Sequence, residues 1–463
     1  MNIISDLEKI VGKHVLHEKE DLIPYRKDAS YFIGPFPLAV VIPKTTGEVS
    51  KIMQLCYKNN IGVVVRGGGT ALTGSSIPVN GSIILSMSRF DSILEAKIED
   101  RYILAEPGVR LDKLNSYLVK FGHFYPPDPG SSIAATVGGS IATNAGGLRA
   151  ATYGATKEWV LGLEVVLPTG KVVQTGGKVL KRTLGYDLTA LMVGSEGTLG
   201  IITKAILKIA PLPDKVGRIM LYYNAIENEG QAISDLKRHG ITPLIAEFMD
   251  SISMDAITKT KGIKFPSNAN YLLIVDIAST AESLKKKLKE AAEILKKSKP
   301  LEIKVTTNAA EMDAMYQARK GLYSSQLSQR ASTREYIVIA DIVVPASELP
   351  LTLKIMKEKL AHYKLRSALF GHIGDGNIHA NIFADINNHE VMTRVKALMM
   401  DFGKAAIEHD GSVSSEHGIG IEKKELLIEE MRYKDSLENI ELMKAIKKQF
   451  DPKNLLNRGK IFD

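Results

Sequence analysis

Apolar and polar positions alternate with periods that change along the chain. The first stretch, MNIISDLEKIVGKHVL, has helical spacing and opens a lead-in that runs to "GPFP" over residues 1–36. "LAVVI" then reads as a buried strand, "TTGEVSKIMQLCYKNN" as a helix and "IGVVV" as a second strand. That is a β-α-β opening, which predicts a domain of mixed helix and sheet. The helix carries its own start signal, because Thr45 and Glu48 form a capping box, and Val49, Ile52, Met53 and Cys56 fall on one face. Asn80-Gly81 predicts a hairpin turn before "SIILSMS". "ILEAKIEDRYILAEPG" predicts two strands about a tight turn, and "LDKLNSYLVKFG" a helix closed by Gly122.

From Pro126 to Ile202 small residues and glycines dominate, and the texture changes again after "APLP" at 210–213. Beyond that point strand-like runs such as "NYLLIVDIA" alternate with helices. The lysines of "ESLKKKLKEAAEILKKSK" read as a solvated face. "YIVIADIVVP" and "LRSALFGHI" predict strands, and helices are expected over about 388–408 and 424–449. The divisions are a lead-in over 1–36, a first domain over 37–213 and a second over 214–463, whose last helices return to the first.

Composition narrows the class only a little. A net charge of +8 attracts anions in general. With no recognised motif and no aromatic–basic stacking face, nucleic acid is not expected as a partner. The single cysteine, Cys56, excludes an intrachain disulfide and lies in the apolar stripe, as a buried thiol would. No signal-peptide pattern and no transmembrane segment is read, so a cytoplasmic location is expected, with peripheral membrane association left open.

Two places suggest chemistry. "VVVRGGGTALTGSS" leaves a strand, and Gly67, Gly68 and Gly69 would let successive backbone N–H groups face one anion, with Arg66 adding charge. It is not the dinucleotide fingerprint, since Leu72 stands where the third glycine belongs, nor a P-loop, since Ser75 stands where the lysine belongs. The second place is "FGHIGDGNIHA", which is nearly a palindrome about Asp375-Gly376. As a two-residue hairpin loop, Asp-Gly would place His372 directly opposite His379 on one face. Two imidazoles so placed suit a divalent metal, and "SSEHGIG" offers Glu416 as a third ligand beside His417. Two histidines with one carboxylate fit Zn, Mn or Fe. Without a redox cofactor, the same trio would serve a metal-dependent hydrolase.

"GGSIATNAGG", "YGATKEWVLGLEVVLPTG" and "GYDLTALMVGSEGTLGIIT" follow the first glycine turn in an order that resembles one family. The chain is similar to flavoproteins with a vanillyl-alcohol-oxidase-type FAD domain, and among them to the group of D-lactate dehydrogenase, glycolate oxidase large subunit and D-2-hydroxyglutarate dehydrogenase. The likeness runs from "YRKDAS" to "DPKNLLNRGKIF". It implies an α+β fold: a two-part FAD-binding domain, then an α+β substrate (cap) domain with an antiparallel sheet. It implies that Arg66, Gly67, Gly68, Gly69, Thr70, Thr73, Gly74 and Ser75 wrap the FAD pyrophosphate. Pro129, Gly130, Ser131, Gly138 and Gly139 would line the flavin side, and Asn144, Gly146 and Gly147 would let backbone approach the cofactor. Glu196, Gly197, Ile201 and Ile202 would hold the adenine-ribose end. Some relatives attach flavin through a histidine in the first glycine motif. Thr70 stands at that place here, so noncovalent FAD is expected.

The same resemblance makes His372, His379 and Glu416 ligands of a divalent metal, His417 the base, and Arg319 the cation for a substrate carboxylate. It also matches Asp341 to a strand motif, with a purely structural role as the other reading. The implied activity is oxidation of a D-2-hydroxy acid to the 2-oxo acid: D-lactate first, glycolate or D-2-hydroxyglutarate otherwise. A flavin oxidase using O2 on a different alcohol is the alternative within the family. The electron acceptor would be separate: a quinone, a cytochrome, an electron-transfer flavoprotein or an iron–sulfur subunit. Oligomeric state is open, a homodimer included.

Overall fold

The computed structural model describes residues 3–462; Met1 and Asn2, where the first helical pattern begins, and Asp463 lie outside the described residues. The chain forms two compact units, one of Met1–Gly146, Ala155–Leu212 and Glu416–Asp463, the other of Gly147–Gly154 and Pro213–Ser415.

In the first unit the β-α-β opening forms as Val40–Val41, the helix Thr46–Asn59 and Gly62–Arg66. Thr45 accepts from the Glu48 N–H at 3.1 Å, and the Glu48 carboxylate accepts from the Lys44 N–H at 2.6 Å. The helix start is thereby satisfied by its own side chains. Val49, Ile52, Met53 and Cys56 are fully buried. Burial pushes the Cys56 thiol up to about 12, which makes it an inert core group. Both strands pair in parallel with Ser82–Ser86. Asn80-Gly81 is therefore a turn but not a hairpin. It closes locally, Ser82 N–H to the Val79 carbonyl at 3.1 Å, yet the strand it feeds runs the same way as its neighbours. A second, five-stranded sheet has the order Ile93–Lys97, Tyr102–Ala105, Ile201–Lys208, Val160–Val166, Val172–Gly176. Its pairs are all antiparallel. The expected helix over 424–449 is two, Lys424–Tyr433 and Glu438–Phe450, separated where Asp435 takes a positive φ of 50°.

The second unit is built on a seven-stranded antiparallel sheet. Its order is Glu302–Thr306, Lys215–Tyr223, Tyr271–Ser279, Ile245–Asp250, Ser367–Gly371, Asn377–Asp385, Glu335–Val343. The strand Ile245–Asp250 lies in the middle of the order and is buried along its whole length. The lysine-rich helix, Leu284–Leu295, buries Leu284, Leu288, Ala291 and Leu295 and leaves Lys285, Lys286 and Lys287 exposed. Among the described residues no helix is long and apolar enough to cross a membrane.

One buried charge in this unit has a measurable consequence. Glu229, in the first turn of the helix Glu227–Arg238, is fully buried, and neither carboxylate oxygen has a hydrogen-bond partner. Burial first, and the Asp250 carboxylate second, push its pKa well above the usual carboxylate range. The folded chain therefore holds a proton at this carboxyl more tightly than the unfolded chain does. Stability falls as pH rises above the unfolded glutamate value of about 4.3. Glu229→Gln removes that dependence. Its thermal midpoint should exceed the wild-type value at pH 8, and the gap should shrink toward pH 5. A gap independent of pH would mean that the carboxyl is ionised in the fold.

Candidate active site

The strand Gly62–Arg66 ends where the first glycine turn begins, and Gly69 and Gly74 take φ of 66° and 73°. A Cβ at Gly68 would lie 2.1 Å from the Ala134 carbonyl oxygen, and one at Gly67 would lie 2.4 Å from Thr136 Oγ1. A Cβ at Gly138 would lie 2.6 Å from Pro107 Cβ. These glycines allow chain to pass against chain, and the close approach sets the turn at 66–75 beside the start of the helix Val137–Thr143. Thr136 caps that helix by accepting from the Gly139 N–H at 3.3 Å.

Arg66 folds over its own turn, with Nη2 only 2.3 Å from where a Cβ on Gly69 would be. Its Nη1 is buried without a hydrogen-bond partner, and burial lowers its pKa from the ordinary arginine value. A desolvated guanidinium with an unused donor, beside glycines that leave backbone open, fits a diphosphate. Thr70, Gly130 and Ser131 keep some solvent exposure, whereas Pro129, Thr73 and Ser75 are buried.

Other candidates have structural duties in this unit. The Glu196 carboxylate accepts from the Ile419 N–H at 2.7 Å and the Gly420 N–H at 2.9 Å. It is buried, and desolvation raises its pKa to about 7 against the lowering effect of those two bonds. Gly197 has a φ of 70°. Ile201 is fully buried in the core with Val41, Val63 and Leu85, while Ile202 is half-buried. Asn144 takes a φ of 52° and accepts from the Lys157 N–H at 2.8 Å. Gly146 and Gly147 mark where the chain leaves the first unit, with Gly147 at a φ of 126°. Thr73 Oγ1 donates to the His417 carbonyl at 3.3 Å, and His417 Nε2 lies 3.7 Å from the Glu416 carboxylate.

Two residues of this unit escape sequence reasoning. Asn457 Nδ2 donates to the Ser75 carbonyl at 2.9 Å and the Glu196 carbonyl at 2.6 Å. Lys460 Nζ donates to the Gly74 carbonyl at 2.6 Å, and burial lowers its pKa to about 8. Both fasten the first glycine turn to the C-terminal "NRGK". Their only signal in the sequence was a place inside a motif with no assigned role.

The second unit gathers the histidine pair. The turn is not the expected two-residue loop. Phe370 pairs with His379, which sets His372 against Asn377, and the Asn377 N–H reaches the His372 carbonyl at 3.2 Å across residues 373–376. Asp375 has no positive φ, so this is not a type I′ turn, although Gly376 does, at 91°. The register differs from the expected one by two residues. Because side chains alternate with period two, such a shift keeps both histidines on one face as diagonal neighbours. Their ring centroids are 5.3 Å apart at an interplanar angle of 88°.

Each histidine has a carboxylate behind it. His372 Nδ1 is 2.6 Å from Glu247 Oε1. His379 Nδ1 is 3.6 Å from Asp341 Oδ1. Asp341 is itself held, accepting from Asn377 Nδ2 at 2.7 Å and from the Ser415 N–H at 3.1 Å, and Glu416 follows in the chain. Nδ1 turned to a carboxylate leaves Nε2 for a metal, so this pair fits a divalent ion. Arg319, on the helix Ala309–Lys320, joins the same cluster. Its Nη2 is 2.5 Å from Glu247 Oε2, its guanidinium lies 5.0 Å from the Phe370 ring centroid, and its buried Nε has no hydrogen-bond partner. Lys320 instead sits over the Tyr316 ring at 5.8 Å. Glu247 was invisible in the sequence, one acid within an apolar strand.

The comparisons with known proteins agree on the family. Residues 37–176 match the FAD binding domain, and residues 212–461 match the C-terminal domain of FAD linked oxidases. The glycolate oxidase subunit GlcD of Bacillus subtilis is 37% identical over 439 residues, 95% of this chain and 92% of its own. A D-lactate dehydrogenase of Anaerostipes hadrus is 32% identical, over 99% of this chain and 97% of its own. Among solved structures, p-cresol methylhydroxylase matches with a TM-score of 0.80 at 20% identity, over 99% of this chain and 96% of that one. Alkyldihydroxyacetonephosphate synthase matches with a TM-score of 0.75 at 18% identity, over 98% and 84%. Those two likenesses are of fold. With an FAD-binding domain of mixed helix and sheet, followed by the family's C-terminal domain, this chain belongs to the FAD linked oxidases and is an FAD-dependent oxidoreductase.

Proposed function

We propose that the enzyme oxidises a D-2-hydroxy acid to the 2-oxo acid, with D-lactate as the first candidate and glycolate or D-2-hydroxyglutarate next. The observation that carries this reading is the cluster of Arg319, Glu247, His372 and His379 in one buried array. It sets a cation suited to a carboxylate beside two imidazoles suited to a divalent metal. The names of the relatives, glycolate oxidase subunit and D-lactate dehydrogenase, point the same way.

In this reading FAD, when bound, supplies the acceptor for the hydride on C2, and a Zn, Mn or Fe ion supplies Lewis acidity at the hydroxyl. Arg319 pairs with the substrate carboxylate through donors that Glu247 leaves unused. His372, His379 and Glu416 hold the metal, and His417 takes the hydroxyl proton. The 66–75 turn holds the pyrophosphate through Arg66 and backbone N–H groups. With Cys56 the only cysteine, this chain has no cysteine set for an iron–sulfur cluster, so any such centre among the acceptors lies in another chain.

Steady-state turnover of D- and L-2-hydroxy acids with an artificial dye acceptor tests the reading. A D-acid should be oxidised and its L-enantiomer left. Acid precipitation of the same preparation should release yellow FAD into the supernatant, because Thr70 offers no covalent attachment. Turnover of alcohols lacking a carboxylate, with none of the acids, would overturn the substrate class. Colour kept in the pellet would overturn noncovalent binding.

A further inference from the structure

Glu247 is 1% exposed and sits in the middle of the seven-stranded sheet. A carboxylate so buried is costly to keep charged unless it is paired. One oxygen has a hydrogen bond and the other an ion-pair contact without hydrogen-bond geometry. Oε1 meets His372 Nδ1 at 2.6 Å, and Oε2 meets Arg319 Nη2 at 2.5 Å. The backbone imposes this arrangement. Phe248 pairs with Gly371, so the same register sets Glu247 directly opposite His372. Arg319 arrives from a helix whose Met315 and Ala318 pack in the core with Met249 and Phe370.

We propose that Glu247 is a positioning residue for the reaction, and that it sets metal affinity and substrate-carboxylate binding together. This rests on the function proposed above. Accepting from Nδ1–H fixes His372 in the tautomer whose Nε2 carries the lone pair that a metal would take, and raises its basicity as a ligand. The other oxygen anchors one Arg319 nitrogen and leaves Nε and the remaining donors for the substrate. One side chain thus fixes the relative placement of the groups that bind the hydroxyl end and the carboxylate end of a 2-hydroxy acid. A carboxylate that only fastened a helix to a sheet would need the arginine, but would have no reason to hold a histidine by Nδ1.

The test is Glu247→Gln in the FAD-loaded enzyme, stripped of metal and titrated with Mn2+ alone. The expected result is a Kd for Mn2+ raised about 10- to 100-fold, as for loss of a carboxylate behind a metal-bound histidine. At saturating Mn2+, KM for the hydroxy acid should rise while FAD content and spectrum stay as in the wild type. An unchanged Kd and KM overturn the proposal. A wild-type enzyme that binds no divalent ion overturns instead the metal-assisted reading beneath it, so the two failures are distinct. If Glu247→Gln does not fold, 15N-histidine spectra of metal-free wild type decide, with His372 assigned by comparison with His372→Asn. An Nδ1–H tautomer supports the proposal, and an Nε2–H tautomer overturns it.

Discussion

His379→Ala should bind metal so weakly that turnover falls about 100-fold or more, while the flavin absorbance stays close to wild type. Chelation of the wild-type enzyme should do the same. His379 is 3% exposed, and its ring is the one set at right angles to that of His372. Losing a carboxylate behind a ligand costs about 10- to 100-fold in metal affinity, so losing a ligand outright should cost more. Flavin should remain because the glycine turn at 66–75 belongs to the other unit. The substitution also takes a ring from beside buried Asp341, which keeps its bonds from Asn377 and Ser415. His379→Gln, which refills part of the volume, is the control for folding. His417→Ala should part from both, keeping the metal and losing turnover. Stoichiometric metal is measured by elemental analysis of active enzyme. Its absence, or normal turnover by His379→Ala after exhaustive chelation, would sink the metal assignment.

Arg319→Met should lower kcat/KM by about 30- to 5,000-fold, the equivalent of about 2–5 kcal/mol for a buried charge pair broken on one side. FAD content should be unchanged. A second penalty falls on the protein itself. Arg319 is 5% exposed, and removing it leaves Glu247 with His372 alone, so the second unit should lose thermal stability. Arg319→Lys separates the two effects. Its ammonium restores a charge beside Glu247, but it is a point donor and cannot grip a carboxylate with two parallel bonds. Stability should then recover more than kcat/KM does. Near-normal kinetics in both variants would place the substrate clamp elsewhere.

The order of elements was legible wherever one period held over a whole segment. The helix Thr46–Asn59 needed only its capping box and an apolar stripe, and both are contacts between residues close in sequence. Strand partners were less legible, because Asn80-Gly81 dictates a turn but says nothing of where the next strand finds its neighbours. The palindrome shows the same division more finely. Asp-Gly alone favours a two-residue loop, yet Gly374 N–H bonds the Ala246 carbonyl at 3.1 Å and Val344 N–H bonds the Gly376 carbonyl at 3.1 Å. The turn is stitched to a strand on each side, and the sheet, not the dipeptide, sets its register. The face survived that shift because it depends only on parity.

What the sequence determined by itself was therefore local: helix starts, alternation within strands, the glycine turns, and the family resemblance that names His372, His379, Glu416, His417 and Arg319. Tertiary structure decided which carboxylate stands behind each histidine. Glu247 lies 125 residues from His372 and reaches it only because the sheet order places Ile245–Asp250 beside Ser367–Gly371. Asp341 reaches His379 by the pairing of Glu335–Val343 with Asn377–Asp385. Strand order is a choice among long-range pairings with similar local propensity, settled by burial of the whole sheet at once. A single acid in "IAEFMD" carries no periodic signal of its own, so its partners become visible only after the strands have found their neighbours.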